Sequence, residues 1–261
     1  MDRFWSLLFL AVPVLGLVIV LGAVFDIGLH NAWLPESIGP RADGIDHLFN
    51  LFHIIIGVVF VGTGLFLAHS LFRFRSDART TASYFQHSTW LELLWTLIPA
   101  ATLIFLALYQ LPYWQENKED PPTLRSGNVQ SADLEPPTVR VVAYQFGWRF
   151  IYPGPDGDFD TRDDIISENL LVLPSDIEIV AELQSRDVIH SFAINKLRLK
   201  QDIVPGLSPR VWFKITQNGD WEINCMELCG WGHFRMSARL KTVPTNEFDA
   251  WLVDTVRERG Y

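Results

Sequence analysis

The sequence predicts an α + β membrane protein: a helical anchor of two or three transmembrane helices, then an all-β domain of the sandwich or barrel kind outside the membrane. Three observations carry this expectation. Apolar residues are concentrated in three long runs within the first 112 residues, the following 149 residues have the composition of a water-soluble domain, and short runs of branched and aromatic residues dominate that second part. Hydrophobic residues make up 49% of the 261 positions and the mean hydropathy is positive, which together point to a membrane.

The apolar runs extend from about Phe4 to Phe25, Leu51 to Phe72 and Leu91 to Leu111. Each is close to the roughly 20 residues needed to cross a bilayer, so residues 1–112 are the expected anchor. The first run could instead be a cleaved secretory signal. Its start, MDR, is hardly basic, and the run is longer than a usual signal core; LGA at Leu21 to Ala23 is a weak cleavage site. A retained first helix is the expectation.

Charge orients these helices, because short loops rich in Lys and Arg stay on the cytoplasmic side. The loop after the second run carries Arg73, Arg75 and Arg79 against Asp77, whereas the loop before it carries Asp26, Glu36, Asp43 and Asp46 against Arg41. The middle loop is therefore expected inside and the carboxy-terminal domain outside, in a periplasm or its equivalent.

Residues 113–137 are rich in Pro, Glu, Asp, Ser and Gly and read as a linker. The outer domain, residues 138–261, opens on TVRVVAYQFGWRFIY and continues through NLLVLP, IEIVAEL, HSFAI, RVWFKIT and GDWEINC. These short β-rich runs, separated by Pro, Gly, Asn and Asp, are the strand pattern. Thr245 to Arg259 reads as one helix, capped by Thr245 or Asn246, with Phe248, Trp251, Leu252 and Val256 on one face. From residue 113 onward the chain has 23 acidic and 16 basic residues. Nucleic acid is an unsuitable partner for such a surface, whereas a basic protein would be attracted to it. The same acidity also serves plain solubility.

The chemistry is concentrated in CMELCGWGHFRM, Cys225 to Met236, together with His190; Cys225 and Cys229 are the chain's two cysteines. Two thiolates, two imidazoles and a thioether form a soft ligand set suited to copper and unsuited to magnesium or calcium. Zinc accepts two Cys and two His, but its usual loops pair ligands two to four residues apart on each side. A disulfide between the two cysteines is the other reading in an oxidising compartment, and Met236 alone would be core filler. A single blue copper needs one thiolate, so the second argues for two coppers, each with one imidazole, sharing both sulfurs.

The loop resembles that of cytochrome c oxidase subunit II, whose C-x-E-x-C-x-x-x-H-x-x-M pattern is matched at every fixed position. The resemblance implies a cupredoxin-like Greek-key β-sandwich and a binuclear copper A centre. His190, Cys225, Cys229, His233 and Met236 are its implied ligands, with Glu227 ligating through its backbone carbonyl and its carboxylate helping to hold a magnesium ion shared with subunit I. HSFAINKLRLKQDIVPG, His190 to Gly206, is similar to the family's histidine strand and K-x-D-x-x-P-G segment. HSTWLELLWTLIP, His87 to Pro99, is similar to the start of its last transmembrane helix, where Glu92 matches the glutamate at the mouth of a proton channel into subunit I. A simple interfacial acid is the competing reading of Glu92.

One segment departs from the family. Its Q-W-x-W stretch, where the first tryptophan receives electrons from cytochrome c, is here Gln145, Phe146, Gly147, Trp148. Phe146 and Trp148 are the candidates for the point at which electrons enter, and the donor's identity stays open. The acidic insertion Tyr152 to Asp164 reads either as a donor-docking patch or as a solvated turn. No C-x-x-C-H occurs, so the donor is expected to be another polypeptide. The implied function is electron transfer from a cytochrome c-type donor through copper to haem in subunit I, with oxygen reduction and proton pumping in the complex. The copper subunit of a nitric oxide reductase and a structural subunit without copper are the alternatives. The expected partners are subunit I, other oxidase subunits and membrane lipid. The expected location is a bacterial inner membrane with the β domain periplasmic, in preference to a mitochondrial inner membrane.

Overall fold

The computed structural model describes residues 2–25, 27–28, 33–74, 83–84, 86–119 and 136–258. Three apolar helices come first: α1 (Asp2–Val24), α2 (Pro40–Arg73) and α3 (Thr89–Lys118). All three are long and apolar enough to cross a membrane. At 1.5 Å per residue the 34 residues of α2 rise about 51 Å, beyond the roughly 30 Å of hydrocarbon. Proline at the first helical position explains the early start of α2, since its fixed φ suits a helix and its missing N–H is not needed there. Pro13 of α1 packs against Gly64 of α2, where an added Cβ would lie 2.6 Å from the proline ring. Ser6 Oγ donates to the Ala68 carbonyl at 2.9 Å. Small residues at such crossings let backbones approach closely. Few side chains in the most apolar stretches of these helices are buried, leaving apolar surface for lipid or other helices to cover.

The second compact unit contains the β domain, and it takes in Glu36–Ile45 and the chain from Pro112 onward. Two expected boundaries change accordingly. Glu36–Ile45, expected in the anchor, joins the β unit because Ile38 is fully buried in its core. Ile38 donates its N–H to Lys196 O at 3.2 Å and accepts at its carbonyl from Thr216 N–H at 2.9 Å. Residues 113–118, expected as linker, continue α3, and Trp212 Nε1 donates to the Glu116 carbonyl at 3.0 Å. The rest of that linker, 120–135, lies outside the described residues, as do Asp26, Arg75, Asp77 and Arg79.

The β domain pairs ten strands in two sheets. One has the order β3 (Ile165–Glu168), β2 (Gly147–Tyr152), β1 (Val139–Tyr144), β5 (Glu178–Ser185), β8 (Arg210–Lys214). The other has the order β4 (Leu170–Pro174), β10 (Ser237–Val243), β9 (Gly219–Cys225), β6 (His190–Ile194), β7 (Leu199–Ile203). Most neighbours are antiparallel; β1 with β5 and β4 with β10 are parallel. Alternation sends Val139, Val141 and Ala143 of β1, Trp148, Phe150 and Tyr152 of β2, and Ala238 and Leu240 of β10 into one shared core. The strands β3, β7 and β10 were not anticipated. Ser-Ala-Arg-Leu-Lys-Thr-Val hides β10 because its outer face is charged.

The helix α4 (Thr245–Glu258) closes the core with Phe248, which stacks on Trp251 at 6.0 Å, while Trp251 meets Tyr152 edge-on at 5.3 Å. Phe248 N–H bonds to Pro244 O, so the helix is entered from Pro244 rather than capped by Thr245 or Asn246. The Val256 side chain lies outside the described residues. Tyr152 ties the sheets together: its hydroxyl donates to Val172 O at 2.9 Å and accepts from Val172 N–H at 2.8 Å. Tyr152→Phe strands both backbone groups in the core and is expected to cost about 1–3 kcal/mol, measured by denaturant unfolding of detergent-solubilised protein.

The acidic insertion joins β2 to β3 at the end of β2 opposite its hairpin with β1. Six residues of strand, about 20 Å, separate the two ends. Arg140 pairs with Asp160 at 2.8 Å and covers the Phe159 ring at 4.7 Å, and Asp158 N–H bonds back to Asp156 at 2.9 Å. The insertion is a self-bonded solvated turn, remote from the β1–β2 hairpin tip.

Candidate metal centre

Two adjacent strands and one loop bring the soft side chains together. Phe192 of β6 pairs with Cys225 of β9, which places His190, at the start of β6, beside the end of β9. The loop from Met226 to Met236 then leaves β9 and returns as β10. Cys225 N–H donates to Met236 O at 3.1 Å and closes the loop's base, while Met226 N–H donates to Ser191 O at 3.1 Å and ties the loop to β6. A single turn of 3₁₀ helix, His233–Arg235, presents His233.

Cys225 Sγ lies 3.8 Å from His190 Nδ1 and 3.9 Å from Cys229 Sγ. Cys229 Sγ lies 3.7 Å from His233 Nδ1 and 3.6 Å from Met236 Sδ. The Glu227 carbonyl oxygen stands 3.2 Å from Cys225 Sγ. His190, Cys225, Cys229 and Met236 are buried, whereas Glu227 and His233 are half-buried. The sulfurs are almost twice as far apart as in a disulfide, and both cysteines are free.

The spacing of these atoms bears on how many ions they suit. The ligand atoms of His190, Cys225 and Cys229 all lie within 4.8 Å of one another, and His233 is not part of that group. Ligands of one four-coordinate ion, held at about 2.0–2.3 Å, sit within about 4 Å of one another. One imidazole therefore flanks each sulfur, and the four ligand atoms as they stand do not close on one point. Sulfurs 3.9 Å apart can each lie about 2.3 Å from a common metal, so the pair fits a bridging role.

The electrostatics are those of a metal pocket. Burial opposes ionisation of Cys225, but His190 and the surrounding backbone bonds outweigh it and bring the thiol down to about 6. Burial and the Cys225 thiolate push Cys229 the other way, to about 11. One negative charge enters easily and the second needs a cation. His190 Nε2–H donates to Asp187 Oδ1 at 2.8 Å, which fixes the tautomer and leaves Nδ1 facing Cys225. Asp187 also accepts from Gln145 N–H and Val188 N–H, each at 2.7 Å. Gln145 Nε2 donates to the Cys229 carbonyl at 2.5 Å. Sequence reasoning missed Asp187 and Gln145; an acid three residues before a candidate ligand was the available signal.

Trp148 is fully buried, 6.5 Å from the His190 ring and edge-on to Phe192 at 5.8 Å. A docked protein cannot touch it, which corrects its candidacy as the outer electron acceptor. Phe146, at the tip of the β1–β2 hairpin, is half-buried against Gly230 and Gly232 of the loop. Glu92 is exposed in the first turn of α3, where a carboxylate suits the helix dipole.

The family profile described as cytochrome c oxidase subunit II, periplasmic domain, matches residues 139–243, and that described as its transmembrane domain matches residues 27–113. The chain is 26% identical over 246 residues to cytochrome c oxidase subunit 2 of Cereibacter sphaeroides, covering 83% of this chain and 77% of that one. It is 27% identical over 267 residues to the alternative cytochrome c oxidase subunit 2 of Bradyrhizobium diazoefficiens, covering 93% and 91%. Among solved structures it is similar to the periplasmic domain of subunit II of cytochrome oxidase from Bradyrhizobium japonicum, at 28% identity and TM-score 0.40, covering 47% of this chain and 94% of that one.

Proposed function

Because the chain belongs to the cytochrome c oxidase subunit II family and is part of a haem-copper oxidase complex, we propose that its β domain holds a binuclear copper centre. Through that centre electrons pass from a cytochrome c-type donor to haem in subunit I. The holding residues are His190, Cys225, Cys229, His233 and Met236, with the Glu227 carbonyl. The observation that carries the reading is the separation of the two imidazoles, one beside each of two neighbouring sulfurs.

When bound, the copper pair supplies a site that takes up and gives back one electron with little change of geometry. The chain's own residues make that possible. Burial of both cysteines limits water at the pair, and the closed base of the loop holds ligand positions before metal arrives. Asp187 orients His190, and Gln145 seats the carbonyl of Cys229. The Glu227 carboxylate, on the same residue as the ligating carbonyl, is the proposed contact for magnesium shared with subunit I. Glu92 is the proposed mouth of a proton channel into subunit I. The membrane is a bacterial inner membrane with the β domain in the periplasm, where it meets its donor; oxygen is reduced, and protons are pumped, with subunit I.

Metal analysis and electron paramagnetic resonance of the purified complex test this. Copper on this subunit whose unpaired electron is shared by two equivalent nuclei is the expected result. A single mononuclear copper, zinc, or a Cys225–Cys229 disulfide contradicts it. Asp187→Ala is expected to weaken copper binding about 10- to 100-fold while leaving all five ligand side chains in place, as read by competition with a copper chelator.

A further inference from the structure

The copper loop carries a large aromatic that the fold itself does not use. Trp231 is 76% exposed and stands outside the core, although it lies two residues from Cys229 and two from His233. Its contacts lie at the protein surface. The Phe146 ring meets it edge-to-face at 5.2 Å and 66°, and the Arg235 guanidinium lies over it at 4.9 Å from the ring centre. Phe146 in turn rests on the loop backbone. An added Cβ at Gly232 would lie 2.6 Å from the Phe146 ring, and one at Gly230, where φ is +138°, would lie 3.1 Å from it. Glycine at these two positions lets the hairpin tip press on the loop from above, with Gln145 bonded to Cys229 O beside it.

From these contacts we infer that Trp231 is the residue on which the electron donor docks and through which electrons enter this chain, with Phe146 as its support. The inference deepens the proposed function and rests on its copper pair. The occupant is a small c-type cytochrome that presents an exposed haem edge with an apolar rim and basic surroundings. A flat indole suits a haem edge, and Trp and Arg are the side chains most enriched at the energetic centres of protein interfaces. Exposure of Leu228 and Phe234 on the same loop extends the apolar character of the surface. The excess of acidic over basic residues from residue 113 onward steers a basic partner towards the domain. In the transfer one electron leaves ferrous haem, which becomes ferric, and arrives at the copper pair. No bond is made or broken and no proton moves.

The path departs from one that begins at the hairpin tip. Phe146 is half-buried and offers an edge to Trp231, so the exposed ring belongs to the copper loop. The covalent route from Trp231 to either Cys229 or His233 is two residues long.

The test uses the assembled oxidase with Trp231→Ala and Trp231→Phe, and a soluble c-type cytochrome as probe. Binding of the oxidised cytochrome, where no electron flows, is measured first. Trp231→Ala is expected to weaken it by about tenfold or more, and Trp231→Phe to restore most of it. Stopped-flow transfer from the reduced cytochrome falls by at least the same factor in Trp231→Ala, while copper content, copper spectrum and reduction by a small-molecule reductant stay at wild-type values. Binding and transfer within about twofold of wild type overturn the inference, as does a wild-type complex that binds no cytochrome. A wild-type complex without paired copper sinks the proposed function instead, and the binding measurement still decides whether Trp231 is the docking residue.

Discussion

Cys229→Ser is expected to abolish the proposed paired copper centre while leaving the β domain folded. Cys229 is the most connected group of the site, with Cys225 Sγ at 3.9 Å, His233 Nδ1 at 3.7 Å and Met236 Sδ at 3.6 Å. A serine hydroxyl keeps its proton at neutral pH and is a poor bridge between soft metals, so the His233 side of the site loses its sulfur. The remaining His190 and Cys225 can hold at most a mononuclear ion. Electron paramagnetic resonance should then show coupling to one copper nucleus in place of two, and cytochrome oxidation by the complex should fall to background. In the metal-free protein the cost of burying a serine hydroxyl in this pocket is about 1–3 kcal/mol, so cooperative unfolding persists. The copper-loaded wild type should unfold at a distinctly higher temperature than the variant, because metal bound only to the folded state stabilises it. Retention of a shared unpaired electron in Cys229→Ser would refute the bridging role of this sulfur.

The second large effect is expected at Trp148, for a different reason. Its ring is fully buried between Phe192 and His190, so Trp148→Ala opens a cavity at the point where the core supports the metal pocket. Such truncations cost about 3–5 kcal/mol, a large share of the 5–15 kcal/mol that holds a typical domain together. Denaturant unfolding should show a lower midpoint with an unchanged slope, and copper affinity should fall because the His190 ring loses its neighbour. Trp148→Phe separates packing from polarity. The buried indole Nε1 has no hydrogen-bond partner among the described residues. Phenylalanine removes that orphan donor and leaves a smaller void than alanine does, so its cost should be a fraction of that of Trp148→Ala. An alanine variant as stable as the wild type would show that the core does not depend on this ring.

The contrast between Trp148, Phe146 and Trp231 shows where reading the chain alone stops. All three are aromatic residues within or near the motifs, and their sequence spacing says nothing about which one faces water. Period-two alternation placed Trp148 on one face of β2 but could not say that this face is the core face; pairing with β1 and β3 decided that. The edge strand β7 was read only as part of a motif, since Leu199, Gln201 and Ile203 alternate with Lys200 and Asp202 too weakly to announce a strand. Ile38 looked like part of a membrane loop, yet it fills the core of the outer domain through backbone bonds to Lys196 and Thr216 that are remote in sequence.

What the sequence by itself determined was whatever depends on local composition and spacing. Three apolar runs of spanning length, the sign of their loops, the β-rich texture after Thr138 and the cluster of soft side chains Cys225, Cys229, His233 and Met236 in one loop are all of this kind. A helix must satisfy its backbone and cover its surface within one contiguous segment, and a single loop can carry most of a metal site. Only the tertiary structure decided the rest: that His190 stands beside Cys225 and His233 beside Cys229, that Asp187 fixes His190, that Gln145 holds Cys229, and that Trp231 stands exposed on Phe146. Asp187 with His190 and Cys229 with His233 are pairs three and four residues apart, set by the turn or loop that carries them; the others are contacts between segments brought together by strand pairing. Such contacts depend on register and packing across the sandwich, which no local pattern encodes.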